Sequence, residues 1–265
     1  MSATVRLPRT PRPAATRTRA RRSVFAAALC AAVALGATAC GPFSGDETKA
    51  TGPFGDLSGP QIVDKAIATT KTAKSLTLDV SFTAEDGPTK AFMATDLQGQ
   101  CAGTVSIGTT GTAELVRPAD KAVYLRFDEA FLKEQGKGES PEVQEAMLTA
   151  LKGRWVKTDA KDPDAKDMLD LCDLKALLAD FEQTTTGTVQ GEETTVGGQK
   201  ALVLTQDLDG EKNTYYVATE GKPYLLKVVT TGGKEPGTIV LSGFDKPVVA
   251  KAPAKKDVVD EKSLG

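Results

Sequence analysis

Leu76, Leu78, Val80 and Phe82 alternate without a miss with Thr77, Asp79, Ser81 and Thr83. A period of two puts the four apolar side chains on one face and the four polar ones on the other. This excludes a helix there and predicts a half-buried antiparallel strand, one face against a core and one in water. The rhythm continues around it. Glu85-Asp86-Gly87-Pro88 is a turn, and 91–97 is a weaker strand. Gly99 to Val105 starts another, and Thr109-Thr110-Gly111 turns into 112–116. Pro118-Ala119-Asp120 leads into 121–127. Strands this short with a turn every 8–12 residues predict a continuous antiparallel meander.

Helices bracket this block. Ser58 with Gln61 three residues on, and Pro60 in the first turn, has the form of a capping box, with Leu57 and Ile62 at staple positions. Ile62, Val63, Ala66, Ile67 and Thr70 share a face, predicting a helix over about 60–72. Residues 128–135 form a short candidate. Ser140 and Pro141 open another, in which Val143, Ala146, Met147, Ala150 and Leu151 recur at helical spacing until Gly153. Trp155 to Lys157 reads as extended, and 172–178 as a helix closed by Phe181. Strands then return at 184–189 and 193–196 around a Gln190-Gly191 turn, at 200–205, 213–219, 224–230 and 237–243, separated by Gly-rich or Asp-Gly turns. The fold class is α+β: an antiparallel, curved sheet with a few helices.

The N-terminus has a different character. Seven arginines and no acid precede residue 40. Removing those seven from the chain's 33 basic residues leaves 26 against 35 acidic ones, a balance of −9. A domain this acidic is not expected to bind nucleic acid through a broad basic surface. From Val24 to Leu35 the chain is apolar, too short for the roughly 20 residues of a spanning helix and suited to a signal-peptide core. It closes on Ala37-Thr38-Ala39-Cys40, which resembles a bacterial lipobox, whose Cys receives diacylglycerol on sulfur. Ala37 stands where that pattern has a large aliphatic residue. The other reading is an ordinary A-x-A cleavage site releasing a soluble protein. The export route, general secretory or twin-arginine, stays open around Arg21-Arg22. Three cysteines remain after cleavage. With Cys40 acylated, Cys101 and Cys172 form an even pair suited to an oxidising compartment; otherwise one thiol is left over. The domains are therefore 1–39 signal peptide, 40–56 flexible tether, 57–253 folded domain and 254–265 tail, docked as an edge or otherwise mobile. The protein is expected at the outer face of the cell membrane, anchored through Cys40.

Chemistry is sparse. The chain has no His, which removes His-based triads, zinc ligands and pH switches. Asp159, Asp162, Asp164, Asp167, Asp170 and Asp173 lack the Gly and terminal Glu of an EF-hand, which favours a solvated loop with helix caps over a calcium site. Asp207-Leu208-Asp209-Gly210 reads as a hairpin turn rather than a calcium loop. Cys101 and Cys172 are not a C-x-x-C redox pair, and a long closed loop favours a structural disulfide tying the meander to the central helices. Trp155, Tyr215, Tyr216 and Tyr224 are either ligand contacts or cross-strand pairs. The inward apolar set is Leu76, Leu78, Val80, Phe82, Val123, Leu125, Leu202, Leu204, Val217 and Leu225; helices either fill the space beside it or leave a slot for acyl chains. No cofactor, metal or catalytic residue is expected.

The order of elements, with Val196-Gly197-Gly198-Gln199-Lys200-Ala201, Tyr215-Tyr216-Val217-Ala218 and Pro223-Tyr224-Leu225-Leu226-Lys227, resembles the LppX/LprG-type lipoproteins of actinobacteria, in the LolA-like group, over about 57–253. The Cys101–Cys172 pair looks like a subgroup feature. The resemblance implies a half-barrel around helices with an apolar cavity for lipid or lipoprotein acyl chains. The function it implies is a non-enzymatic, membrane-anchored protein that binds or transfers lipid or glycolipid. A sensor or protein-interaction module on the same fold is the alternative, its partner unspecified.

Overall fold

Strand β1 (Ser75–Ala84) is the alternating stretch read from the sequence, and it lies in the interior of a twelve-stranded sheet. The computed structural model describes residues 53–84, 87–108, 110–160, 169–179 and 185–260. The expected signal peptide, Cys40 and the tether as far as residue 52 lie outside the described residues.

From β1 the chain runs through β2 (Gly87–Asp96), β3 (Cys101–Ile107), β4 (Thr112–Arg117) and β5 (Val123–Phe127), each antiparallel to the last. This is the meander that the turn spacing predicts. Helices α2 (Glu129–Gln135) and α3 (Pro141–Leu151) follow, and β6 (Trp155–Thr158) then pairs with β5. After α4 (Leu174–Ala179) comes a second meander: β7 (Val189–Val196), β8 (Gln199–Leu208), β9 (Glu211–Ala218), β10 (Leu225–Gly232) and β11 (Gly237–Ser242). Its last strand returns to the first of the chain, with Leu78 opposite Leu241 and Val80 opposite Ile239. One strongly curved, open sheet results.

Local chemistry explains the element ends. Helix α1 (Gly59–Thr70) begins where Gln61 Oε1 accepts both the Ser58 N–H (2.8 Å) and the Ser58 hydroxyl (3.0 Å). Asp128 caps α2 by accepting the Phe131 N–H at 2.7 Å, and its other oxygen accepts the Thr112 N–H, tying helix to strand. The β8–β9 turn has φ of 54° at Asp209 and 85° at Gly210. Two successive positive φ values match the right-handed twist of a tight hairpin.

Two expectations are corrected. Of the strand expected at 184–189 only Val189 is extended, as the first residue of β7: 185–188 form a turn closed by the Thr188 N–H on the Thr185 carbonyl. Gln190-Gly191 is not a turn but part of β7, where the register against β8 shifts between Gln190 and Glu193. An isolated Gly inside a strand marks a bulge as readily as a turn. Within the tail from 254, read from the sequence as docked at an edge or mobile, 258–260 are extended. Strand β12 (Val258–Asp260) adds parallel to β6, with Val259 opposite Val156. A sheet edge accepts a short β-branched segment whatever the charge of the flanking residues.

Among the described residues, helices α1 to α4 feed one face of the sheet. Ile62, Val63 and Ala66 of α1 and Leu174 and Leu178 of α4 join Leu76, Leu78, Leu204, Tyr215, Val228 and Leu241 in one core cluster. Leu132 of α2 and Leu151 of α3 join Met93, Leu115, Leu125 and Val156 in a second. Each fully buried aliphatic side chain contributes roughly 1.5–3 kcal/mol.

Asp245, just beyond β11, fastens the lower rim. Oδ1 accepts the Lys74 N–H at 2.8 Å; Oδ2 accepts the Tyr224 hydroxyl at 2.8 Å and Lys222 Nζ at 3.0 Å. The Lys74 N–H, then Lys222 and Tyr224, lower its pKa from 3.8 to about 2. Because the folded value lies below the unfolded one, this contact stabilises the fold above about pH 3.8 and is lost as pH falls towards about 2. Asp245→Asn is expected to flatten the fall of melting temperature across that window, measured by circular dichroism; an unchanged acid limb would show that the carboxylate is not coupled to folding.

Candidate functional site

Antiparallel register places directly opposed residues on the same face. The inward face therefore reads as three rows crossing the sheet. The first runs Val156, Leu125, Leu115, Gly103, Met93, Leu78, Leu241. All but Gly103 are buried. A Cβ on Gly103 would overlap the Phe92 carbonyl and sit 2.8 Å from Met93 Cα, so this row is closed down to the backbone.

The second row runs Phe127, Ala113, Val105, Ala91, Val80, Ile239, Val228, Tyr215, Leu204. Its ends are buried, Phe127 and Ala113 in the second cluster and Val228, Tyr215 and Leu204 in the first. Its middle is not: Val105, Ala91, Val80 and Ile239 are all half-buried. The third row runs Gln206, Asn213, Thr230, Gly237, Phe82, Thr89. It turns polar on the β8–β10 side. An apolar strip thus lies between the two clusters, uncharged throughout, with a polar margin.

A bar crosses the face below the strip. Leu169 and Leu171 pack against the second cluster, while Leu174 and Leu178 enter the first. The bar is fixed between these contacts by the disulfide Cys101–Cys172, with Cα atoms 5.4 Å apart and both residues fully buried. The Thr95 hydroxyl donates to the Cys172 carbonyl at 2.8 Å, also buried. Asp173 caps α4 by accepting the Lys175 and Ala176 N–H groups. The disulfide is inaccessible, which suits a strut better than a redox centre.

Of the ten residues proposed from sequence, Leu76, Leu78, Leu202, Leu204, Val217 and Leu225 lie in the first cluster and Val123 and Leu125 in the second. Only Val80 and Phe82 keep exposed surface along the strip. Ala91, Val105 and Ile239 were missed. Ala91 and Ile239 are the cross-strand partners of Val80, a signal invisible until the register is known. Tyr215 is core: its hydroxyl donates to Gln206 Oε1 at 3.1 Å, and burial pushes its pKa up, keeping it a donor. Tyr224 stacks on Phe244 with centroids 4.0 Å apart, and Trp155 lies under the Arg126 guanidinium. In the acidic run, Asp162, Asp164 and Asp167 lie outside the described residues. Among the described residues no group of three His, Cys, Asp or Glu is placed to hold a metal ion.

No protein-family model matches the chain, and neither does any curated protein. Several solved structures do. LprF from Mycobacterium bovis is 16% identical, with 74% of this chain and 97% of that one covered and a TM-score of 0.47. The lipoprotein LppX of Mycobacterium tuberculosis is 10% identical over 72% of this chain and 97% of its own, with a TM-score of 0.36. The MucA/MucB complex of Pseudomonas aeruginosa matches at 12% identity, 75% and 59% coverage, and a TM-score of 0.28. LppX is one of the lipoproteins that the sequence resembles; the likeness is distant.

The disulfide closes a separation of 71 residues. Chain entropy assigns such a loop about 4 kcal/mol. Replacing both cysteines by Ala is expected to lower unfolding free energy in urea by about that amount. Thr95→Val, which leaves the Cys172 carbonyl buried without its donor, is expected to cost about 1–3 kcal/mol. A Thr95→Val chain as stable as the parent would show that the bar is not held there.

Proposed function

We propose that the chain is an extracytoplasmic lipoprotein, anchored through Cys40, that binds the acyl chains of a lipid or glycolipid without altering them. The observation that carries this reading is the half-buried apolar strip of Val80, Ala91, Val105 and Ile239, left between two closed core clusters on the inward face. A sheet that needed only a core would cover this strip. An apolar surface kept partly open is a binding surface for apolar matter. The leader ending at Cys40 and the acidic tether fit a tethered carrier, and the lack of His leaves no His-based catalytic site.

Two measurements test the two halves. Native mass spectrometry of the full chain purified from membranes should show bound acyl lipid. Ala91→Trp, which fills the strip with an indole, should reduce it about tenfold, a loss of about 1.4 kcal/mol, with an unchanged melting temperature. A folded chain that never carries lipid would end the carrier reading. Metabolic acyl labelling should mark the parent and not Cys40→Ala; equal labelling of both would end the anchor reading.

A further inference from the structure

Among the described residues, β12 is the one strand laid parallel to its neighbour. It pairs through three residues, where β1 and β11 pair through six. Parallel pairing is also slightly weaker per residue than antiparallel. Its link to the rest of the chain does not force it into place. Asp245 is clamped at the foot of β1, and from β1 to β12 the sheet is about 29 Å wide at about 4.8 Å per strand spacing. Residues 246–257 reach about 40 Å when extended. The link has slack, so β12 stays on β6 through its own contacts.

Those contacts join two complementary stretches. The edge of β6, with the residue before it, reads Arg154-Trp155-Val156-Lys157; β12, with the residue before it, reads Asp257-Val258-Val259-Asp260. The register sets Val258 opposite Trp155, Val259 opposite Val156 and Asp260 opposite Lys157. Base, apolar, apolar, base thus faces acid, apolar, apolar, acid. Val156 is buried in the second core cluster, and Trp155 is held half-buried under the Arg126 guanidinium, itself paired with Glu114. Arg154 and Lys157 are exposed, and neither forms an ion pair with a described residue. In a domain with an excess of acids these two cations mark the ends of one sheet edge. Backbone pairing at an edge carries no sequence preference; charges at its two ends do.

We propose that the edge of β6 is a docking site for an extended segment of a partner protein, reading acid, two β-branched apolar residues, acid, and that residues 257–260 hold it closed in cis. The partner segment takes the place of β12 as an added strand. Its main chain pairs with β6, its two apolar residues lie on Trp155 and Val156, and its acids meet Arg154 and Lys157. Cis occupation makes the site selective. A partner must outcompete a tethered segment whose effective concentration is on the order of millimolar, so a segment lacking the acids is turned away. The apolar strip lies elsewhere on the sheet, and this inference is independent of the carrier reading.

Trp155 is the chain's only tryptophan, so its fluorescence reports on this edge. The probe is a synthetic peptide with the sequence of residues 254–260, titrated into the purified full chain and into Val259→Asp, which sets a carboxylate against Val156 and releases the cis strand. Val259→Asp should emit at longer wavelength than the parent, and the peptide should restore the parental emission. The peptide should bind Val259→Asp at least about tenfold more tightly than the parent, whose edge is occupied. A second peptide, with Lys at the positions of Asp257 and Asp260, should bind Val259→Asp at least about tenfold more weakly than the first. Should Val259→Asp fail to fold, Lys157→Glu still decides: it should prefer a peptide with Lys at the position of Asp260 over the unchanged one. Binding that ignores the acids, or no response of Trp155 to any peptide, would overturn the site. A parent chain that dimerises with rising concentration, and is returned to monomer by the peptide, would give the edge to a second copy and overturn the separate partner.

Discussion

The pairing of β1 with β11 is the contact on which the rest of the molecule depends. Six residue pairs, from Thr77 with Ser242 to Phe82 with Gly237, join two meanders that otherwise have their own helices and their own cores. Without it β1 is an open edge and the inward rows stop at the middle of the sheet. With it, Leu78 and Leu241 extend the closed row and Val80 and Ile239 extend the half-open one. The strip exists because these two strands meet; neither meander contains it alone.

The helices pack in two separate clusters, α1 and α4 in one and α2 and α3 in the other, and the bar of residues 169–179 contributes to both. Hydrophobic burial alone is non-directional and favours collapse of the two cores into one. The disulfide and the Thr95 bond act differently. They fix where the bar crosses, at the level of Cys101, and so keep it off Val105 and Ala91. The Asp245 clamp does the corresponding work at the lower rim, holding the start of β1 to the β9–β10 turn.

Much of this was legible in the sequence where local chemistry decides. The Ser58–Gln61 helix start, the alternation of β1, the Asp209-Gly210 hairpin and the Cys101–Cys172 pair all read directly. Errors arose where one signal serves two structures. Gly191 reads as a turn but lies within β7, at a shift in its register against β8. The site was half-legible. Alternation shows which residues face inward but not where helices will cover them, so eight of the ten inward candidates are packed core. Ala91 and Val105 sit in strands with weak alternation, and their exposure depends on cover from distant helices. No local pattern records that.

The separation in sequence of its paired strands divides this fold in two. Every pairing from β1 to β5 is between neighbours in sequence. Leu78, however, waits for Leu241. Until β11 pairs with it, β1 has one bare edge and the first meander has an unfinished apolar face. Pairings this remote are slow to form and leave sticky intermediates exposed. The molecule's last strands are thus its keystone, and a chain cut short before residue 237 is left as two half-cores with no seam between them.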